Sequence, residues 1–149
     1  MRSFLRSEEG VSVVEFAVVL PVMIFMLLGL IELGRYGYYA ILAANAARAG
    51  VQYGAYSTGN MVDTAGITNA AKVDGENLSS WTVTTKQLCS VNGASPAACA
   101  TSNGSSPPTN TIYYVEVQVS GTYNPLISYP GIPKNVPISG SATMRVAYQ

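Results

Sequence analysis

Glu15 is the first residue in this chain whose type and position suggest chemistry. It stands directly before Phe16–Ile31, a run of 16 residues in which no side chain is polar. A carboxylate beside hydrocarbon is costly, so it needs either a partner of opposite charge or a place at the edge of the membrane. Glu15 is therefore one half of a charge pair, or an interfacial acid that lies just outside the hydrocarbon.

Cys89 and Cys99 are the second chemical feature. They are the chain's two cysteines, and the sequence around them carries little charge. An even cysteine count of this kind predicts one disulfide and an oxidising compartment outside the cytoplasm. The alternative is a pair of reduced, buried thiols.

The remaining residue types argue against an enzyme. The chain has no histidine, which removes the usual general base and the commonest metal ligand. Asp63, Asp74 and Glu76 lie close in sequence, but their spacing suits neither a calcium loop nor a catalytic carboxylate pair. We therefore predict no catalytic residue, no metal site, no cofactor and no small-molecule substrate. The formal net charge of zero also provides no field that would attract nucleic acid.

The element that must position Glu15 is a membrane helix. Val11–Ile31 supplies 21 positions, of which only Ser12 and Glu15 are polar, and about 20 mostly apolar residues span a bilayer. Pro21 lies inside this segment, where membrane helices tolerate it with a tendency to kink. A cleaved secretory signal fits less well, because the run is long and a helical sequence follows it. A buried core helix also fits less well, because nothing else in the chain is apolar enough to surround it.

The orientation of the span is predicted from the cysteines rather than from the basic residues. Arg2 and Arg6 precede the span, and Arg35 and Arg48 follow it, so the count of basic residues is tied. The cysteine pair and the polar, Ser/Thr/Asn-rich remainder favour a cytoplasmic N-terminus and an extracytoplasmic C-terminal domain. Tyrosines that suit the membrane–water interface follow the span: Tyr36, Tyr38 and Tyr39.

Small residues dominate the helix beyond the span, and we expect this helix to run from Val11 to Tyr56. Ala46, Gly50 and Gly54 recur at four-residue spacing, which places them on one face and lets another helix approach closely. Such a helix is about 70 Å long, whereas the hydrocarbon core is about 30 Å thick. Roughly half of it therefore stands outside the bilayer, with a small-residue face that needs a partner. The alternative is an Ala-rich helix that packs only on its own domain.

The rest of the chain predicts a second, weaker helix and three strands. The helix is expected over Asp63–Leu78, and the strands over Trp81–Leu88, Ile112–Val119 and Ser141–Tyr148, where apolar and polar residues alternate. The segments between these strands are rich in Gly, Pro and Ser and are expected to be irregular. The predicted fold class is therefore α+β, with a roughly three-stranded antiparallel sheet packed on the outer half of the long helix.

The first third of the chain resembles the TadE-like family. A short polar leader ends at Gly10, an apolar helix begins at Val11, and Glu15 is the fifth residue after the glycine, which is the pattern of type IV prepilins. The narrower resemblance rests on four pieces that occur in order: Gly10, VVEFAVVLP (Val13–Pro21), ELGR (Glu32–Arg35) and NAARAG (Asn45–Gly50).

The resemblance implies a bacterial minor pilin, or pseudopilin, of a tight-adherence pilus, with a pilin-like fold. It divides the chain into a leader (1–10), a long helix (11–56) that spans the membrane at about 11–31, and an extracytoplasmic β-rich domain (57–149). The protein would lie in the bacterial inner membrane. Its partners would be other pilins or pseudopilins and the pilus-assembly machinery.

The resemblance also implies a processing site. A prepilin peptidase would cut between Gly10 and Val11, and the amine freed at Val11 and the carboxylate of Glu15 could then neutralise each other. This pairing could occur within one subunit or between neighbours, and at membrane depth it is less screened than in water. The alternatives to a minor pilin are a main structural pilin and a bitopic anchor that presents a binding or adhesive domain.

Overall fold

The computed structural model describes residues 8–76, 80–99, 110–126 and 134–147, with burial assigned from residue 12 onward. Most of the predicted leader, and Tyr148 at the end of the last predicted strand, lie outside the described residues. The chain divides into two compact units, Met1–Tyr36 and Gly37–Gln149. We call them the N-terminal unit and the C-terminal unit.

Helix α1 extends from Glu8 to Ala55 and makes up all of the N-terminal unit that is described. Pro21 lies inside it, at the cost of one backbone hydrogen bond. The large apolar side chains between Val13 and Leu33 are largely exposed. α1 is long and apolar enough to cross a membrane, and none of its most apolar 18-residue window is buried. A core helix of a soluble protein would be covered, so this exposure favours a lipid-facing segment.

Two short helices follow α1, and polar N-caps start both of them. Helix α2 covers Thr58–Val62, and the Ser57 side chain accepts a hydrogen bond from the Asn60 amide. Helix α3 covers Thr64–Asp74, and the Asp63 side chain accepts one from the Gly66 amide. Each cap satisfies an amide that has no partner within the first helical turn. The weaker helix expected over Asp63–Leu78 is therefore present, and it ends before Gly75.

Within the described residues, the sheet has four antiparallel strands in the order β2-β1-β3-β4, where roughly three were expected. The strands are β1 (Thr82–Val91), β2 (Ala97–Ala98), β3 (Thr111–Tyr123) and β4 (Val136–Arg145). The α+β prediction is confirmed, with one additional short strand.

The strands differ from the expected ones most at β2 and β4, while β1 and β3 end three and four residues later than expected. β2 lies in a segment predicted to be a loop, because a two-residue strand has no periodicity to detect. β4 starts at Val136 rather than Ser141, although Pro137 lies inside it. Proline is tolerated there because β4 is at the edge of the sheet and one side of it needs no amide donor.

The core of the C-terminal unit lies between the sheet, the outer part of α1 and α3. Val115, Val117 and Val119 alternate along β3 and are all buried, as the period of two for a half-buried strand requires. They pack with Ala46, Ala47 and Val51 from α1, and with Ile67 and Ala71 from α3. A second, smaller cluster joins Ala43 to Tyr123 and Ile138. The predicted covering of the sheet by the outer half of the long helix is confirmed.

Candidate processing and assembly surface of the long helix

The predicted processing site lies within α1. Gly10, Val11 and Glu15 are all helical, and the Glu15 side chain is exposed. Positions 11 and 15 are four residues apart, and residues at this spacing are neighbours on a helix surface, with about 5–6 Å between their Cβ atoms. The helix therefore places the Glu15 carboxylate one turn from the backbone nitrogen of Val11. A free amine at Val11 would have this carboxylate within reach on the same helix.

A charge pair follows the apolar run directly. Arg35 Nη1 donates to Glu32 Oε2 at 3.1 Å, with 31% of the Arg35 and 14% of the Glu32 side chain exposed. The spacing of three residues brings both side chains onto one helix surface. The pair neutralises two charges at the end of the membrane segment, where lone charges would be costly.

The small-residue face of α1 is covered by the chain's own C-terminal unit. A Cβ atom on Gly50 would lie 3.2 Å from Ala71 Cβ of α3 and 3.2 Å from Val117 Cγ1 of β3. A Cβ atom on Gly54 would lie 2.9 Å from Ile67 Cδ1 of α3. Ala46 is also buried in this core. A helix does approach this face closely, but it comes from the same chain, so the expectation that the face stands exposed and needs an external partner is wrong.

Cys89 and Cys99 are joined by a disulfide, with their Cα atoms 4.9 Å apart. Cys89 lies in β1, opposite Ala97 of β2. The amide of Cys99 also donates to the Gln87 carbonyl oxygen at 3.3 Å. The bond therefore holds the two-residue β2 against β1, where two ladder pairs alone would be a weak attachment.

A polar cluster not identified from the sequence ties the end of α1 to α3. The Tyr53 hydroxyl donates to Asp63 Oδ2 at 2.8 Å, and the Gly66 amide donates to Asp63 Oδ1 at 2.9 Å. The Gly66 amide and then the Tyr53 hydroxyl lower the pKa of the Asp63 carboxyl, because both donate to its charged form. The same hydrogen bond raises the pKa of Tyr53, because the neutral phenol is the donor.

Two further contacts that the sequence did not predict lie at the other end of the C-terminal unit. Gly140 of β4 meets the α1 backbone, since a Cβ atom there would lie 2.6 Å from the Ala43 carbonyl oxygen. The rings of Tyr39 and Tyr123 lie 5.6 Å apart. A glycine inside a strand can mark a close backbone approach, but Gly140 lies just before the strand that the sequence predicted, so this signal was not recognised. Nothing in the sequence indicated the tyrosine contact.

The described residues contain no group of three or more His, Cys, Asp or Glu side chains placed to hold a metal ion. Among the described residues, Glu32 pairs with Arg35 within α1, and Tyr53 pairs with Asp63 between the end of α1 and the N-cap of α3. The described part of the chain thus combines an exposed apolar helix in one unit with a helix-covered sheet in the other.

Comparison with known proteins finds a family match within the long helix. The family model described as TadE-like protein matches residues 10–52, a little under a third of the chain. No curated protein and no solved structure matches it. The matched segment begins at Gly10 and ends within the last turn of α1, so it contains both the exposed apolar segment and most of the face that packs on the sheet. Residues 10–52 are therefore similar to the TadE-like family, and the resemblance predicted from the sequence is confirmed over this segment.

Proposed function

We propose that this chain is a minor pilin, or pseudopilin, that assists assembly of a tight-adherence pilus and has no catalytic activity. The observation that carries the proposal is the coincidence of the TadE-like match with α1. The match covers the part of the chain that a pilus subunit would use for the membrane and for helix bundling. The sheet lies outside the match, and it covers one face of the helix with its own core.

The proposed location is the bacterial inner membrane, with a single span and a cytoplasmic N-terminus. The exposed apolar side chains of α1 support the span. The disulfide between Cys89 and Cys99 supports an extracytoplasmic position for the C-terminal unit, because structural disulfides persist in oxidising compartments. A fusion of a periplasm-dependent reporter to the C-terminus should be active, and activity of a cytoplasm-dependent reporter there instead would reverse the orientation.

The proposed processing step is cleavage after Gly10 by a prepilin peptidase. Mass spectrometry of the membrane-extracted protein should show a chain that begins at Val11 when the peptidase is present. The same chain from a host without the peptidase is the control and should retain Met1. An intact Met1 terminus in the peptidase-containing host would refute the step.

The proposed role of Glu15 is to neutralise the Val11 amine and so set the register of bundled helices. Its exposed side chain, one helical turn from Val11, supports this role. Glu15→Gln keeps the shape and removes the charge, so we expect fewer pili with no loss of membrane insertion. Ser12→Ala, which alters a neighbouring polar residue of the same segment, is the control. Unchanged piliation in the Glu15 variant would mean that the carboxylate is not needed.

The stoichiometry of the filament distinguishes a minor pilin from a main structural pilin. Quantitative proteomics of purified filaments should find this chain well below the amount of the principal subunit. A stoichiometric amount would assign it as the main pilin. A bitopic anchor would instead keep its leader and would not co-purify with pilus-assembly proteins.

A further inference from the structure

A contact between two tyrosines joins the end of β3 to the part of α1 that begins the C-terminal unit, and a third tyrosine packs beside it. The rings of Tyr38 and Tyr39 meet edge to face, with their centroids 5.6 Å apart, and the ring of Tyr39 lies 5.6 Å from that of Tyr123. Tyr123 is buried with Ala43 and Ile138. Aromatic pairs in these geometries add stabilisation beyond the area that they bury. The last residue of β3 is therefore held beside the first helical turns of the unit.

Exposed apolar side chains surround this point. Tyr38 is 54% exposed and Ile41 is 64% exposed, and their spacing of three residues puts them on one side of α1. The same side then becomes polar, with exposed Asn45 and Arg48 one and two turns further on. Leu126 is 73% exposed and follows Tyr123 by three residues, so its Cα atom lies within about 11 Å of that of Tyr123. We call Tyr38, Ile41 and Leu126 the rim.

The segments of the C-terminal unit that meet at the rim carry charge of one sign. Lys134 is exposed and comes two residues before Val136, which pairs with Tyr123 across the sheet. The described segments that meet here, residues 37–45, 121–126 and 134–140, contain this lysine and no acidic residue. The four acids of the C-terminal unit lie elsewhere in the chain: Asp63, Asp74, Glu76 and Glu116.

We propose that the rim is a lipid-binding surface that lies in the headgroup layer of a membrane containing anionic phospholipid. Tyrosine favours the interface because it has an apolar ring and a polar hydroxyl. Exposed Ile and Leu side chains next to it fit the boundary between headgroups and acyl chains, and Lys134 fits the lipid phosphates. The C-terminal unit would then bind the bilayer surface directly, in addition to being tethered by α1.

The position of the rim along α1 agrees with this occupant. Tyr38 follows Ile31, the last residue of the apolar run, by seven residues, which is about 10 Å of helix. A helical side chain covers the turn before its own Cα, which brings the ring about 5 Å closer to the hydrocarbon. Each headgroup layer is about 5–8 Å thick. The distance along α1 from the end of the apolar run to the Tyr38 ring is therefore comparable with the thickness of this layer.

Depth-dependent fluorescence quenching tests the proposal on the full-length chain. Trp81 is the one tryptophan, so Trp81→Phe provides a silent background whose folding is checked by thermal unfolding. Leu126→Trp then reports on the rim. Val73→Trp is the matched control, because Val73 is also an exposed apolar residue of the C-terminal unit, at 71% exposure, but lies in α3. Phe25→Trp reports on insertion of the span.

The variants are reconstituted in phosphatidylcholine–phosphatidylglycerol vesicles that carry nitroxide either on the headgroup or deep in the acyl chain. We expect headgroup nitroxide to quench Leu126→Trp several-fold more strongly than Val73→Trp, and deep nitroxide to quench Phe25→Trp. Lys134→Glu should weaken the quenching of Leu126→Trp in these vesicles and leave it unchanged in neutral ones.

Equal quenching at Leu126 and Val73, with Phe25 quenched by the deep label, would overturn the proposal. That result would mean that the rim faces water or is covered by a second copy of the chain. Loss of quenching at Phe25 would overturn it together with the membrane span. The test does not depend on cleavage after Gly10 or on a role in a pilus, so its outcome is separate from that of the proposed function.

Discussion

The contact between Gly140 and α1 leads to a sharp prediction, because backbone atoms lie on both sides of it. A Cβ atom on Gly140 would lie 2.5 Å from the Ala43 carbonyl carbon and 2.6 Å from its oxygen. Ordinary carbon contacts are about 3.5–4.0 Å long. Gly140→Ala therefore requires β4 and α1 to separate by about 1 Å, since neither backbone can rotate away as a side chain can.

The packing around Gly140 sets the free-energy cost of this separation. Overpacking of a close-packed core typically costs about 1–3 kcal/mol, and two rigid backbones place this case at the upper end. A gap of 0.5–1 Å also removes about a quarter to a half of each dispersion contact, and the affected contacts include those of Ile138 and Tyr123 with Ala43. We expect Gly140→Ala to lower the free energy of unfolding by about 2–3 kcal/mol. Small domains have about 5–15 kcal/mol in total, so this loss is large.

Other glycines of the same chain provide graded controls. Gly37 lies in α1, and a methyl group added there would have nothing within 4 Å, so Gly37→Ala should raise stability by roughly 0.5–1 kcal/mol through helix propensity. A methyl group on Gly50 would lie 3.2 Å from two side chains and 3.3 Å from the Ile67 carbonyl oxygen, so the steric cost should at least cancel the propensity gain. The expected order of stability is Gly37→Ala, then Gly50→Ala, then Gly140→Ala.

The measurement is denaturant unfolding of the full-length chain in non-ionic micelles. Trp81 packs against both core clusters of the C-terminal unit, so its fluorescence reports on that unit. A Gly140→Ala variant within about 0.5 kcal/mol of the parent, the range usual for surface substitutions, would refute the reasoning. It would mean that β4 and α1 are not in backbone contact.

Three further predictions concern the disulfide and the polar cluster. The Cys89–Cys99 bond closes a loop with a sequence separation of 10 residues, so its reduction should lower the free energy of unfolding by about 2.5–3 kcal/mol in the chain-entropy model. A double Cys→Ala variant should show the same loss, and its stability should not change when reductant is added. An unfolding curve that reduction leaves unchanged would contradict this prediction. The pKa of Asp63 is lowered first by the Gly66 amide and then by the Tyr53 hydroxyl. The ionised carboxylate should therefore stabilise the fold above the ordinary aspartate pKa of 3.8, and this stabilisation should be lost as pH falls through the folded value. Unfolding curves across acid pH should show this dependence in the parent and not in Asp63→Asn, which keeps the cap. The raised pKa of Tyr53 predicts a pH dependence of stability with the opposite sign. The stabilisation should be present below the ordinary tyrosine pKa of 10.0 and lost as pH rises through the folded value. Tyr53→Phe should remove this alkaline dependence, and a dependence that persists in the variant would belong to another tyrosine.

Patterns within short stretches of the sequence predicted several of the helices and strands. The run Phe16–Ile31 predicted a membrane-length helix because bilayer thickness fixes how many apolar residues must be consecutive. The alternation along β3 predicted which valines are buried because side chains of a strand alternate between its two faces. The sequence also placed a weaker helix from Asp63 onward, and the structure shows that the Asp63 side chain caps the first amides of α3. Each of these signals is complete within a short stretch of chain.

Only the tertiary structure decided which segments complete the edges of the sheet and which distant residues contact each other. β2 and the start of β4 form strands because they pair with β1 and β3. Neither segment has enough alternation of apolar and polar residues to be recognised as a strand from its own sequence. The contact of Tyr39 with Tyr123 joins residues more than eighty positions apart, and nothing near either residue in the sequence indicates the other.

The small-residue face of α1 shows most clearly what the sequence determined and what it left to the tertiary structure. Ala46, Gly50 and Gly54 determined by themselves that some element approaches the helix closely, because residues without bulk at four-residue spacing leave a groove on one face. Only the folded chain decided that the approaching elements are its own α3 and β3 rather than a neighbouring subunit. The spacing of small residues along a helix determines the shape of its surface. Which element packs against that surface depends on contacts between segments that are distant in the sequence.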